Sequence, residues 1–124
     1  MEKEIIKAIY ADLKEKSTVI SNKLTEAVVN NADASYIEEL STKSIVICDV
    51  LADFRNNKSI RRVFPYMEYL KQAHSVISEE FIMVLKPEDI HTAFAKLEAI
   101  TCLMFETKRI ISEKMDECFT YSVK

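Results

Sequence analysis

Residues 90–118 read IHTAFAKLEAITCLMFETKRIISEKMDEC, and this stretch decides the fold. Its apolar residues recur at alternating steps of three and four, which keeps side chains on one stripe of an α-helix. A spacing that averages 3.5 residues is typical of helices that lie nearly parallel to one another. The segment therefore predicts a long helix packed along other helices. The positions on its stripe are Ile90, Phe94, Leu97, Thr101, Met104, Lys108, Ile111, Met115 and Cys118.

The same spacing runs through three earlier segments, at about residues 3–30, 35–55 and 63–84, and the fourth helix is expected to extend from Pro87 to about Tyr121. The chain has no glycine, so two-residue hairpin turns of the Asn-Gly kind are excluded and a hairpin-rich sheet is disfavoured. Short polar connectors favour antiparallel neighbours. We therefore predict that residues 1–124 form a single all-α domain, an antiparallel up-down-up-down four-helix bundle.

Several helix ends carry local signals. Ser35 and Glu38 have capping-box spacing, which predicts that the second helix starts at Ser35. Pro65 allows two arrangements: it lies in the first turn of the third helix after a separate short turn over residues 60–64, or it kinks one helix that begins earlier. Residues 17–18 weaken the middle of the first helix and make a bend there an open alternative. Lys86 precedes a proline and is expected to end the third helix.

Charge and composition limit the classes of protein that the chain can belong to. The formal net charge is −3, which argues against a uniformly basic, nucleic-acid-binding surface. Charged residues at positions 2–4 interrupt any signal-peptide core, and the apolar runs are far shorter than the ~20 residues that span a bilayer. We therefore expect a cytoplasmic protein without a membrane segment. Three cysteines without CxxC spacing are expected to be reduced core thiols: Cys48, Cys102 and Cys118.

Candidate catalytic and metal-binding groups are sparse. Cys48, His74 and Cys102 fall within one or two helical turns of one another along the bundle, and thiolate and imidazole are zinc ligands. A fourth ligand is not evident, so two buried thiols beside a hydrogen-bonded histidine are the simpler expectation. Asp49 and Asp53 lie opposite the apolar stripe and are expected to be solvated. The sequence contains no nucleophile elbow, phosphate-binding glycine loop or HExxH motif. We expect no enzyme, cofactor or metal; a small-ligand sensor around His74 is a second alternative.

One segment of the chain is concentrated in basic residues. Lys58, Arg61 and Arg62 lie in the connector between the second and third helices. Arginines beside amides and a hydroxyl can bind phosphates, and neighbouring aromatic rings can stack on bases. The alternative is a solvated loop whose arginines pair with Asp53 or Glu68. Residues that could extend or complete this basic end are Asn56, Asn57, Ser59, Phe64, Tyr66, Tyr69, Lys71, Lys108 and Arg109.

The second and fourth helices have more apolar residues than one buried stripe requires. A helix that is apolar most of the way round is either central in a core or buried by a partner. Aromatic residues, Met and Arg are also enriched at protein interfaces. We therefore expect a small accessory protein, such as an adaptor, inhibitor or immunity protein, that binds another protein or itself as a homodimer. Nucleic-acid contact through the basic end is the alternative. The expected protein-interface residues are Val46, Val50, Tyr66, Tyr69, Leu103 and Phe105.

Overall fold

The computed structural model describes the backbone of residues 1–123 and the side chains of residues 1–117. Four helices account for most of the chain: α1 (Glu2–Val29), α2 (Ala34–Asn56), α3 (Val63–Ile82) and α4 (Ile90–Val123). Two short 3₁₀ turns precede α3 and α4, at Lys58–Ile60 and Pro87–Asp89. The all-α four-helix prediction is confirmed.

Side-chain contacts fix the direction of each helix. Between α1 and α2, Arg55 contacts Tyr10 and Cys48 contacts Ser17, so the two helices are antiparallel. Between α2 and α4, Glu38 contacts Thr92 and Lys43 contacts Glu98, so these two run in the same direction. Between α3 and α4, the Phe81 ring lies near Phe94 and Tyr66 lies beside Thr107, so these two are antiparallel and the topology is up-down-up-down.

The helices are arranged around the bundle in the order α1, α2, α4, α3. Helix α4 packs against α2 and α3 and also reaches α1, whereas α3 packs mainly on α4 and scarcely on α1. The consecutive helices α2 and α3 thus lie diagonally, and residues 57–62 connect them across one end of the bundle. Helix α3 contributes two fully buried side chains, Tyr66 and Leu70, both in its first half. Its second half presents more surface to solvent.

The buried stripe of α4 differs from the prediction. Ile90, Phe94, Lys108 and Met115 were placed on the seam, but they are exposed. Small side chains allow α1 and α2 to approach α4 closely. The face of α4 that carries the alanines is therefore turned to the core, and the large residues of the predicted stripe lie beside it. The predicted stripe is offset by about one residue. The buried positions are Ala93, Ala95, Ala99, Ile100, Leu103, Thr107 and Ile110.

The start of α3 resolves the alternatives at Pro65. The helix begins at Val63 after a separate 3₁₀ turn, and Pro65 lies in the first turn. The first intrahelical bond is donated by the Tyr66 amide to the Arg62 carbonyl, 2.9 Å away, so the missing amide proton of proline breaks no helical bond. The helix is not kinked there by a lost hydrogen bond. Helix α1 is not broken at residues 17–18, since it is continuous from Glu2 to Val29.

Two predicted helix ends were wrong. Helix α2 begins one residue before Ser35, whose hydroxyl donates to the Asp33 carboxylate, while Glu38 accepts a hydrogen bond from Thr92 and takes no part in a capping box. Helix α3 ends at Ile82, four residues before Lys86. Proline restricts only the residue that precedes it, and the chain needs the intervening residues to turn towards α4.

Candidate binding surfaces

An aromatic cluster joins α1, α2 and α3. The ring of Phe54 stacks on Tyr10 at a centroid distance of 5.6 Å and meets Tyr66 edge-on at 5.4 Å. Tyr66 in turn stacks on Tyr69 at 6.2 Å. Edge-to-face and offset-stacked pairs at these distances are favourable beyond the area they bury. The cluster therefore holds the start of α3 against the antiparallel pair α1–α2.

The two α3 tyrosines in this cluster have different polar surroundings. The Tyr66 hydroxyl is buried beside Thr107, but the Thr107 hydroxyl donates to the Leu103 carbonyl at 2.7 Å, and Tyr66 has no partner in hydrogen-bonding geometry. Tyr69 donates to the Asp53 carboxylate. Burial raises the pKa of Tyr66, and burial together with the hydrogen bond to Asp53 raises the pKa of Tyr69. Both phenols are held in the neutral form.

These raised pKa values predict a loss of stability at alkaline pH. An unfolded tyrosine ionises near pH 10, whereas Tyr66 and Tyr69 stay protonated in the fold. Above about pH 10 the folded state binds more protons than the unfolded state, so the free energy of unfolding falls as pH rises. Urea unfolding on either side of this pH measures the effect.

The matched variants for this prediction are Tyr66→Phe with Tyr69→Phe and, as the control, Tyr36→Phe. We expect the double variant to flatten the alkaline decline in the urea midpoint, because it removes both groups. Tyr36 is exposed, so its replacement should leave the decline as in the unmodified protein. An equally steep decline in the double variant would contradict the assignment of the alkaline loss of stability to Tyr66 and Tyr69.

The structure places the six predicted interface residues in different environments. Val46, Val50, Tyr66 and Leu103 are all buried within the chain, at 9% exposure or less. Tyr69 is half-buried and bound to Asp53, and Phe105 alone of the six is well exposed, at 67%. The surplus apolar residues of α2 and α4 thus lie largely in the core, and the four buried side chains offer little surface to a protein partner.

A different apolar surface is exposed where α3 connects to α4. We call it the tip patch and define it as Ile82, Met83, Leu85, Ile90 and Phe94, whose exposed fractions range from 46% to 94%. Ile82 to Leu85 form the end of the α3–α4 hairpin, and Phe94 continues the surface along α4 to the half-buried ring of Phe81, 6.2 Å away. This surface was not predicted, because α3 was expected to continue to Lys86.

Four carboxylates surround the tip patch. Between residues 76 and 94 the chain has these four acidic residues and one lysine, Lys86. One of the acids, Glu80, lies 3.6 Å from Lys96 of α4, and the others are exposed. The segments that flank the tip patch are therefore predominantly acidic, with Lys86 and Lys96 as the neighbouring cations, and we call the four carboxylates its acidic rim. The acidic residues are Glu79, Glu80, Glu88 and Asp89.

The predicted basic residues lie at the opposite end of the bundle. Lys58 and Arg62 are exposed and Arg61 is partly exposed. Arg62 is 3.2 Å from the carboxylate of Glu2 in α1, which is neither of the partners, Asp53 and Glu68, that the sequence suggested. The proposed extension through Arg109 does not hold, because Arg109 is bound to Glu106 and Glu113 on α4 itself, at 2.7 and 2.8 Å.

Two other basic side chains, both missed from the sequence, lie at this end. Arg55 donates to the Tyr10 hydroxyl at 3.0 Å, and the Lys14 ammonium lies 4.5 Å from the centre of the Tyr10 ring. The hydrogen bond from Arg55, together with these charges, lowers the pKa of Tyr10. Spacing along the chain could not reveal this group, because Tyr10 and Arg55 are far apart in sequence.

The cysteines and His74 are not brought together. Cys48 and Cys102 are exposed rather than core thiols, since the buried stripes of α2 and α4 pass beside them; Cys118 lies outside the described side chains. The Cys48 sulfur lies 3.6 Å from the Ser17 hydroxyl. The Nδ1 atom of half-buried His74 is 3.5 Å from the Ser78 hydroxyl. Across the side chains that the structure describes, no three His, Cys, Asp or Glu residues are grouped to hold a metal ion.

A groove of about 400 Å³ lies between α1, α2 and α4, away from the His74 position that the sequence suggested for a small ligand. Its apolar floor includes Ile20, Ile47 and Leu103, and Cys102 lies on its wall. The rim cations are already neutralised: Lys43, for example, is 2.9 Å from Glu98 and 3.0 Å from Glu39. The groove therefore offers apolar contact with few free polar groups to orient a ligand.

Comparisons with protein-family models, with curated proteins and with solved structures found no match. Within the described residues, no helix is both long enough and apolar enough to cross a membrane. The fold and surfaces define the class of the protein as an all-α four-helix bundle. Its two most distinctive surfaces are the acidic, apolar tip patch and the basic end around Tyr10.

Proposed function

We propose that this protein is a cytoplasmic, non-enzymatic interaction module that binds a basic amphipathic helix of another protein on the tip patch, as an adaptor, inhibitor or accessory subunit does. The observation that carries the proposal is the group of large apolar side chains at the α3–α4 connection, with Leu85 94% exposed. Exposed apolar residues are common singly, but a contiguous group usually marks an interaction surface.

The charge around the tip patch supports a basic partner. The acidic rim attracts lysines and arginines, whereas a second copy of this chain would bring the same carboxylates together and repel. An amphipathic helix supplies both requirements, because one face carries apolar residues at steps of three and four and the flanks carry charge. A heterotypic helical partner therefore fits the tip patch better than a symmetric homodimer.

A fluorescein-labelled model helix of leucine and lysine is the probe for this proposal. We expect saturable binding by fluorescence anisotropy, and a loss of at least about tenfold in affinity for Met83→Glu with Leu85→Glu, because each apolar side chain buried on binding contributes roughly 1.5–3 kcal/mol. Both positions are more than two-thirds exposed, so the melting temperature of the double variant should stay close to that of the unmodified protein.

The matched control is Phe105→Glu with Met115→Glu, which introduces the same two charges at exposed apolar positions about three and six helical turns further along α4 than Phe94. It should bind the helix as the unmodified protein does. Equal loss in this variant, or equal binding of a scrambled leucine–lysine peptide, would contradict the proposal. A dimer seen by light scattering that dissociates in the tip variant would instead assign the patch to a second copy of the chain.

A further inference from the structure

Lys14 and Arg55 converge on Tyr10 at the end of the bundle opposite the tip patch, and Arg61 lies in the connector between α2 and α3 at the same end. The geometry is given by the 3.0 Å hydrogen bond from Arg55 to the Tyr10 hydroxyl and by the Lys14 and Arg55 cations, 4.5 and 5.7 Å from the ring centre. Tyr10 itself is anchored by stacking on the buried ring of Phe54. Lys14 and Arg55 are therefore arranged around a side chain that is itself held in place.

Lys14, Arg55 and Arg61 have no ion pair among the described side chains, in contrast to the cations around the α1–α2–α4 groove. Lys16, Lys43 and Arg109 are each bound to two carboxylates. Like charges held close together repel, and an anion bound between them relieves that repulsion.

The basic surface continues along α1. Lys3 and Lys7 precede Tyr10 and Lys14 at steps of four, three and four, so all four residues share one face of the helix. No acidic residue occupies this set of positions. The face therefore presents a row of positive charge that ends at the Tyr10 group, which suits an extended polyanion better than a single small anion.

An exposed aromatic ring follows the connector at this end of the bundle. Phe64, in the first turn of α3, is 73% exposed and follows Arg61 and Arg62 closely in the chain. We propose that this end binds single-stranded nucleic acid, with backbone phosphates on Lys14, Arg55 and Arg61 and one base stacked on Phe64. Base–aromatic stacking needs an unpaired base, which a duplex does not offer.

An anionic membrane is the competing polyanion. Stable adsorption to a bilayer requires a broad apolar face that enters the headgroup region as well as basic charge. Among the described side chains, one exposed aromatic ring, that of Phe64, accompanies the lysines of α1 and the cations around Tyr10. One ring suits a single stacked base better than it suits the broad apolar face that a bilayer requires. The observations therefore favour nucleic acid.

The test is anisotropy of a short, labelled oligothymidylate from about 50 to 200 mM salt. We expect the logarithm of the association constant to fall linearly with the logarithm of salt concentration, with a slope of about −0.7 for each phosphate neutralised on a single strand. Arg55→Gln with Arg61→Gln should weaken binding at least tenfold and make the slope less steep. Phe64→Ala should weaken binding about fivefold or more without changing the slope, since stacking releases no counterions.

The matched control is Lys23→Gln with Lys86→Gln, which removes the same charge from exposed positions at the other end of the bundle. It should bind like the unmodified protein, and circular dichroism should show every variant folded. The proposal is overturned by no saturable binding at low salt, by equal loss in the control, or by arginine-dependent binding to phosphatidylserine vesicles without oligonucleotide binding. Failure here leaves the tip-patch measurements unaffected, because they use different residues and a different probe.

Discussion

Leu70→Ala is expected to lower the free energy of unfolding by about 3–5 kcal/mol, near the upper end for removing a fully buried leucine. Leu70 is 0% exposed and is one of only two buried side chains that α3 supplies. The lost contacts are therefore a large share of what holds α3 to the bundle. Urea unfolding followed by circular dichroism measures the free energy, and hydrogen exchange should show protection lost first in α3.

The control for this prediction is Leu85→Ala, the same substitution in the same hairpin at a position that is 94% exposed. It should change the free energy of unfolding by no more than about 0.5 kcal/mol. Similar losses for the two variants would show that Leu70 is not the anchor of α3.

Phe54→Ala is expected to cost about 3–5 kcal/mol, with a further contribution from the aromatic pairs it breaks. The Phe54 ring contacts Tyr10 on one side and Tyr66 on the other, so its removal leaves a cavity where α1, α2 and α3 meet. Since a domain is stable by only about 5–15 kcal/mol, this variant should be close to unfolding at moderate temperature. Thermal melting and urea titration measure the loss.

Phe105→Ala is the matched control, because Phe105 is 67% exposed whereas Phe54 is 2% exposed. We expect its melting temperature to stay close to that of the unmodified protein. A stability loss at Phe105 that approached the loss at Phe54 would contradict the assignment of the aromatic cluster as the junction of three helices.

The four helices could be predicted from spacing alone, and Pro65 correctly limited the start of α3. The exact buried stripe of α4 could not be predicted from spacing, because the apolar pattern was traced through large side chains. Ala95 and Ala99 face the core instead, where helices approach closely. Val46 and Val50 were assigned to a partner surface because α2 has more apolar residues than one stripe requires, although both are buried within the bundle. A pattern shows that a helix is apolar all round but not which other helices cover it.

Both candidate surfaces depend on distances that the sequence does not contain. Lys58, Arg61 and Arg62 stand close together in the chain and were predicted, but Arg55 meets Tyr10 only because α1 and α2 are antiparallel neighbours. The tip patch was missed because Met83 and Leu85 follow the apolar stripe of α3 without a break in composition. Where a helix ends inside such a run is decided by how the chain turns onto α4.

The opposite signs of the two ends make the overall isoelectric point a poor guide to behaviour. Helix α1, with 28 residues, is about 40 Å long, while the Debye length is about 8 Å at physiological ionic strength. The acidic tip and the basic row along α1 therefore act on approaching molecules as separate fields rather than through the net charge of −3. The molecule therefore carries a dipole along its length. A positively charged resin should adsorb it by the acidic tip, and a negatively charged resin should adsorb it by the basic end, in the opposite orientation.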